Sequence, residues 1–86
     1  MTPDEVLQRH PGETLRWLRG RLGLSQLAFA ARVEASTKAV QGWERGRSRI
    51  SLPYHRRIVP LLVPHLHSDE GRAWLAALGA GRDGDG

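Results

Sequence analysis

The fold is decided by residues 26–46, QLAFAARVEASTKAVQGWERG. Two short amphipathic segments stand here on either side of Glu34, Ala35 and Ser36, and three residues leave room only for a tight turn. Ser25 and Ser36 each precede one segment, where a serine hydroxyl can accept a hydrogen bond from the first helical turn. The stretch therefore predicts two short helices that meet across a turn.

A wide crossing between these helices requires a small side chain at their contact, and Ala30 supplies one. The predicted shared core consists of Phe29, Ala35, Val40 and Trp43. The opposite face of the second helix then exposes Thr37, Lys38 and Gln41. A short, mostly polar helix of this kind fits the major groove of B-DNA, which is about 12 Å wide.

Helical patterns also precede this stretch. From Glu13 to Leu22 the leucines recur at helical spacing, and Gly23 closes the helix. Thr2 can cap a turn or two that ends at His10.

The C-terminal third predicts two more helices. Ser51 caps the first, in which Pro60 and Pro64 each remove a backbone donor and kink or end the helix. Ser68 caps the last helix, which is expected to run to Leu78.

Size and composition agree with one small domain. The 86 residues include no cysteine, so neither a disulfide nor a thiolate metal site can stabilise the chain. Because no segment alternates as a strand would, the chain is predicted to be all-α, a compact bundle of about five short helices. This domain covers residues 1–78, and residues 79–86 are expected to be a disordered tail. Without a membrane-spanning run or a signal segment, we expect a cytoplasmic protein.

Positive charge is concentrated in the middle of the sequence. Residues 9–57 carry a net charge of +8, whereas residues 1–8 and 58–86 carry −2 each. Of the thirteen cationic residues, twelve are arginine, whose guanidinium can bind two phosphate oxygens at once. This distribution suits a polyanionic partner, and it equally suits a solvated arginine-rich surface.

Several residues of the central stretch form a recognisable pattern: Arg19, the GLSQ segment at 23–26, the pair Phe29 and Ala30, Val40, and the WERG segment at 43–46. With them, residues 18–50, LRGRLGLSQLAFAARVEASTKAVQGWERGRSRI, resemble the helix-turn-helix of the phage-repressor and Cro (XRE-type) family. The resemblance implies a lambda-repressor-like fold and sequence-specific binding of double-stranded DNA.

The resemblance also implies roles for particular positions. The base-reading residues would be Gln26, Thr37, Lys38 and Gln41. The phosphate-binding residues would be Ser36, Arg45, Arg47, Ser48 and Arg49. Arg19 and Glu44 would form a structural ion pair.

Two positions depart from the family pattern. Glu34 stands where the turn usually has glycine, at a cost on the order of 1 kcal/mol if the backbone there is left-handed. Gly42 replaces a side chain that often contacts DNA, and it lowers helix propensity by about 1 kcal/mol relative to alanine. We interpret Gly42 as a bare stretch of backbone that lets the helix approach the groove closely.

Residues suited to chemistry are few. His65 and His67 could chelate a metal, but no third ligand stands at a suitable spacing. Neither a nucleophile elbow nor a phosphate-cradling glycine motif is present. The sequence therefore predicts no cofactor, no metal site and no enzymatic activity.

Three functions fit these observations. The first is a transcriptional regulator, in so short a chain a repressor, that acts as a homodimer. The second is the antitoxin of a toxin pair, which represses its own operon and binds the toxin through its C-terminal third. The third is a protein-interaction module that has kept the helical fold but no longer binds DNA. Dimerisation is expected from apolar residues beyond the needs of one small core: Val59, Leu61, Leu62, Val63, Leu66, Trp74, Leu75 and Leu78.

Overall fold

The computed structural model describes residues 1–85, with side chains described through residue 79. Within these residues the chain forms helices and no strand, as predicted. There are six: α1 (Pro3–Arg9), α2 (Pro11–Leu22), α3 (Gln26–Arg32), α4 (Thr37–Glu44), α5 (Leu52–Leu66) and α6 (Asp69–Asp85). About five were expected, so the bundle has one helix more.

The first helix, α1, is stabilised by a capping box at its N-terminus and by the burial of one face. The Thr2 hydroxyl accepts from the Glu5 amide at 3.2 Å, and the Glu5 carboxylate accepts from the Thr2 amide at 3.2 Å. Val6 and Leu7 are buried where α1 packs against α2 and α5. The predicted turn or two is thus a complete helix that contributes to the core.

Helices α3 and α4 begin at the serines that were predicted to cap them. The Ser25 hydroxyl accepts from the Ala28 amide at 3.1 Å, and the Ser36 hydroxyl accepts from the Ala39 amide at 3.0 Å. The side chains expected in their shared core are buried, namely Phe29, Ala30, Val40 and Trp43, and half-buried Ala35 packs against them. The predicted pair of helices is confirmed.

The turn between α3 and α4 accepts backbone strain at Glu34. Its φ is +59°, in the left-handed region that favours glycine. This conformation lets the Ala35 amide reach the Ala30 carbonyl at 2.8 Å and the Glu34 amide reach the Ala31 carbonyl at 3.3 Å. These two bonds close the end of α3 in a Schellman pattern and fix the direction in which α4 starts.

Of the two predicted effects of the prolines, an end of the helix is wrong, because α5 is continuous from Leu52 to Leu66 through Pro60 and Pro64. A kink stays a prediction. Both prolines lie on the exposed side of α5, one turn apart. The carbonyl that loses its partner to Pro60 belongs to Arg56, which is also exposed. Water can therefore satisfy the freed carbonyl, while Ile58 and other residues of the opposite face stay buried.

Helix α6 packs closely on α5 and touches α2 through side chains. Ser68 caps it, accepting from the Gly71 amide at 3.0 Å. A Cβ at position 71 would lie among backbone atoms of His65 and Leu66, so glycine is required for this approach. The Trp17 and Trp74 rings stack with centroids 4.6 Å apart. This contact joins α2 to α6.

The end of α6 differs from the expectation. The helix is assigned through Asp85, whereas the sequence predicted its end at Leu78. Side chains beyond residue 79 lie outside the described part of the structure, and the disorder of residues 79–86 stays a prediction.

Candidate nucleic-acid interface

Helix α4 presents its polar face to solvent beside the loop that follows it. The buried residues of α4, Val40, Trp43 and Glu44, fall on one side. Together with the loop, the exposed side lines a concavity of about 470 Å³. Six residues predicted to contact DNA line this concavity: Ser36, Lys38, Gln41, Arg45, Arg47 and Ser48. The structure therefore brings most of the predicted contact residues to one surface.

The loop folds back over α4 because the helix ends at a left-handed glycine. Gly46 has φ +73°. The Gly46 amide donates to the Trp43 carbonyl at 3.2 Å, and the Arg47 amide donates to the Gly42 carbonyl at 2.9 Å. This Schellman pattern turns the chain by a fixed angle and places Ser48 beside the helix.

Gly42 makes room for this loop. A Cβ at position 42 would lie 3.0 Å from the Ser48 Oγ and 3.6 Å from its Cβ. The first of these distances is tighter than ordinary van der Waals contact. A residue with a side chain at position 42 would push against Ser48, so the chain's own folding gives one reason for a glycine in the middle of the helix.

An ion pair beneath the surface joins α2 to the end of α4. Arg19 Nε and Nη2 donate to the two carboxylate oxygens of Glu44 at 2.6 and 3.0 Å, and Arg19 Nη1 donates to the Leu24 carbonyl at 3.1 Å. The Glu44 side chain is 4% exposed and that of Arg19 is 20% exposed. The hydrogen bonds to Glu44 raise the pKa of Arg19 above its ordinary value. The pair orients α4 relative to α2.

Gln26 connects this buried carboxylate to the exposed face of α4. Its amide nitrogen donates to Glu44 Oε1 at 3.1 Å, and its amide oxygen accepts from the Gln41 side chain at 3.5 Å. Because Glu44 can only accept, it fixes which end of the Gln26 amide faces Gln41. Gln41 in turn directs one N–H inward.

Besides Gln26, two predicted contact residues do not line the concavity. Thr37, at the first position of α4, is half-buried. Arg49 is exposed but lines a different cavity, of about 390 Å³, with Gln8, Pro11, Ile50 and His55. Arg49 is thus separated from the concavity that Arg47 lines.

One residue that positions α4 was missed by sequence reasoning. Arg16 Nη1 donates to the Glu44 backbone carbonyl at 2.6 Å. The bond ties the last turn of α4 to α2 across 28 residues of sequence. No local pattern marks Arg16 for this contact, since its spacing is that of an ordinary exposed helical residue.

Most apolar residues that suggested a dimer serve this chain's own core. Leu62 and Leu66 are buried, and four others are half-buried against the core: Val59, Leu61, Trp74 and Leu75. Spare apolar surface is thus smaller than the sequence suggested.

Two classes of site or segment find no support among the described residues. No group of three or more His, Cys, Asp or Glu side chains there is arranged to hold a metal ion. In that same part of the chain, no helix has both the length and the apolar character needed to cross a membrane.

Comparison with known proteins gives one match. A family model described as a helix-turn-helix domain matches residues 12–62, a segment that begins within α2 and ends within α5. No curated protein and no solved structure matches the chain.

Proposed function

Because the chain belongs to the helix-turn-helix family of the XRE/Cro type, we propose that it is a transcriptional regulator that binds double-stranded DNA sequence-specifically through α4. The observation that carries this proposal is the surface that α4 forms with the loop after it. Lys38, Arg45 and Arg47 line one concavity there, with the hydroxyls of Ser36 and Ser48. Such a surface suits a partner that offers both phosphates and base edges.

Base reading is assigned to the N-terminal part of α4. Exposed Lys38 can donate to guanine O6 and N7, and Thr37 can contact a thymine methyl group. Gln41 can pair with adenine through its amide oxygen and second N–H, since its first N–H is directed to Gln26. Gln26 then acts by orienting Gln41 rather than by reading a base alone.

Phosphate binding is assigned to residues around the two ends of α4. Ser36 lies at its N-terminus, while Arg47 and Ser48 lie in the loop after its C-terminus. Arg49, at the neighbouring cavity, would reach a more distant phosphate. These contacts set the register of the duplex without selecting its sequence.

We further propose that the protein acts in the cytoplasm as a repressor and binds as a symmetric pair. One α4 covers a single half-site, whereas two copies would read half-sites one helical turn, about 34 Å, apart. Helices α1 to α5 and the start of α6 pack into one unit, and these residues form no separate effector domain. Repression by occupying the operator is therefore the regulatory action that they support. Sedimentation of the protein with a selected duplex tests the pairing, and a one-to-one complex would contradict it.

The experiment for the main proposal selects bound duplexes from a random pool and measures affinity over a salt series. Lys38→Ala and Gln41→Ala should each weaken the selected duplex by about 1–3 kcal/mol and change scrambled DNA less. Arg47→Ala should weaken both duplexes alike and reduce the log–log salt slope by about 0.9. Arg72→Ala removes the same charge from α6, outside the concavity, and serves as the matched control.

Two outcomes would count against this assignment. If the wild-type protein binds no duplex in a salt-dependent way, the protein-interaction module becomes the better explanation. If Lys38→Ala and Gln41→Ala leave the ratio of selected to scrambled affinity intact while Arg47→Ala alone changes it, α4 is not the reading element.

A further inference from the structure

Arg45 differs from the other residues expected to bind phosphate because it belongs to the helical face of α4. Its backbone is still helical, with φ −92° and ψ −2°. It follows Lys38 by seven residues, or about two turns, so both side chains lie on the exposed face. Among the described residues the Arg45 guanidinium has neither a hydrogen-bond nor an ion-pair partner, and it is free to bind a ligand.

The position between them on this face carries no side chain. Gly42 lies one turn from each, and a side chain there would have to displace the Ser48 Oγ, which would lie 3.0 Å from its Cβ. Arg45, Gly42 and Lys38 line the same concavity. The heavy atoms within 4 Å of a Cβ at position 42 belong to Ser48, so the Arg45 side chain is not packed over this glycine.

We propose that Arg45 is a second base-reading residue, which contacts guanine from the exposed face of α4 that it shares with Lys38. This inference rests on the proposed function and replaces the phosphate contact expected for Arg45. A guanidinium matches the O6 and N7 acceptors of guanine with two donors. Seven residues at 1.5 Å each separate Lys38 and Arg45 by about 10.5 Å along α4, which corresponds to roughly three base pairs at 3.4 Å each.

The test measures affinity for the selected duplex and for variants with one base pair changed at a time. For Arg45→Ala, the selected duplex should bind roughly 5- to 150-fold more weakly, with a smaller change on scrambled DNA. Arg45→Ala should also lose the preference for one G·C pair. That pair should lie about three base pairs from the pair at which Lys38→Ala loses sequence preference. Arg45→Lys should recover the charge contribution and only part of that preference, because lysine lacks the planar fork.

Arg47→Ala is the matched control, since it removes an arginine from the same concavity but from the loop. If Arg45→Ala lowers selected and scrambled affinity equally and flattens the salt dependence as Arg47→Ala does, Arg45 binds phosphate and the inference is wrong. Absence of any selected site for the wild-type protein would instead overturn the proposed function itself. Thermal melting of each variant checks that it is folded, as expected for exposed positions.

Discussion

Replacing Arg19 and Glu44 by methionine, singly and together, tests how the fold holds α4 in place. Arg19→Met leaves a carboxylate whose side chain is 4% exposed. The Gln26 amide, at 3.1 Å, remains as its side-chain donor. Breaking a buried pair in this way costs about 3–5 kcal/mol, which lowers the Tm of a domain of this size by at least about 12 °C. Glu44→Met should cost less, near 3 kcal/mol, because Arg19 is 20% exposed and can extend its charge towards water.

The double variant separates the ion pair from simple packing. With both charges replaced by apolar side chains, no buried charge is left unpaired. The double variant should therefore lose about 2–3 kcal/mol less free energy of unfolding than the sum of the two single losses. Urea unfolding followed by tryptophan fluorescence measures all four proteins. The reasoning is refuted if the single costs add within about 0.5 kcal/mol, or if Arg19→Met costs less than about 1 kcal/mol.

Four further substitutions probe the core, the turn and the first cap. Trp43→Ala should cost about 3–5 kcal/mol and Ala30→Leu about 1–3 kcal/mol, and unchanged urea midpoints would exclude the packing described for α3 and α4. Glu34→Gly should raise the free energy of unfolding by about 1 kcal/mol, because glycine adopts φ +59° without strain, and a lower midpoint would contradict this. Hydrogen bonds from the backbone amide of Thr2, and next from its hydroxyl, hold the pKa of Glu5 below its ordinary value. Because the pKa of Glu5 is lower in the folded state, its ionised carboxylate stabilises the fold at pH values above the unfolded-state pKa. The higher Tm of wild type relative to Glu5→Gln should therefore disappear as the pH falls through the folded-state pKa. A difference in Tm that persists in acid would contradict this.

Local signals in the sequence determined where several helices begin and which faces they bury. Ser25 and Ser36 cap their helices because a serine hydroxyl satisfies an amide only three residues away. Phe29, Val40 and Trp43 are buried because helical spacing places them on the inner faces. Short-range hydrogen bonds and periodicity decide these features, so they can be read from neighbouring residues.

Tertiary structure decided the features that depend on distant residues. Helix α5 continues through Pro60 because the side of the helix that loses a hydrogen bond faces water, and only the packing of the bundle determines that side. Arg16 reaches the Glu44 carbonyl across 28 residues, and Trp74 stacks on Trp17 from the opposite end of the chain. The glycine at position 42 likewise makes room for Ser48, which the left-handed turn at Gly46 brings back beside the helix. The spacing of residues along one helix holds no information about such contacts, because they exist only once the separate helices have been placed against each other.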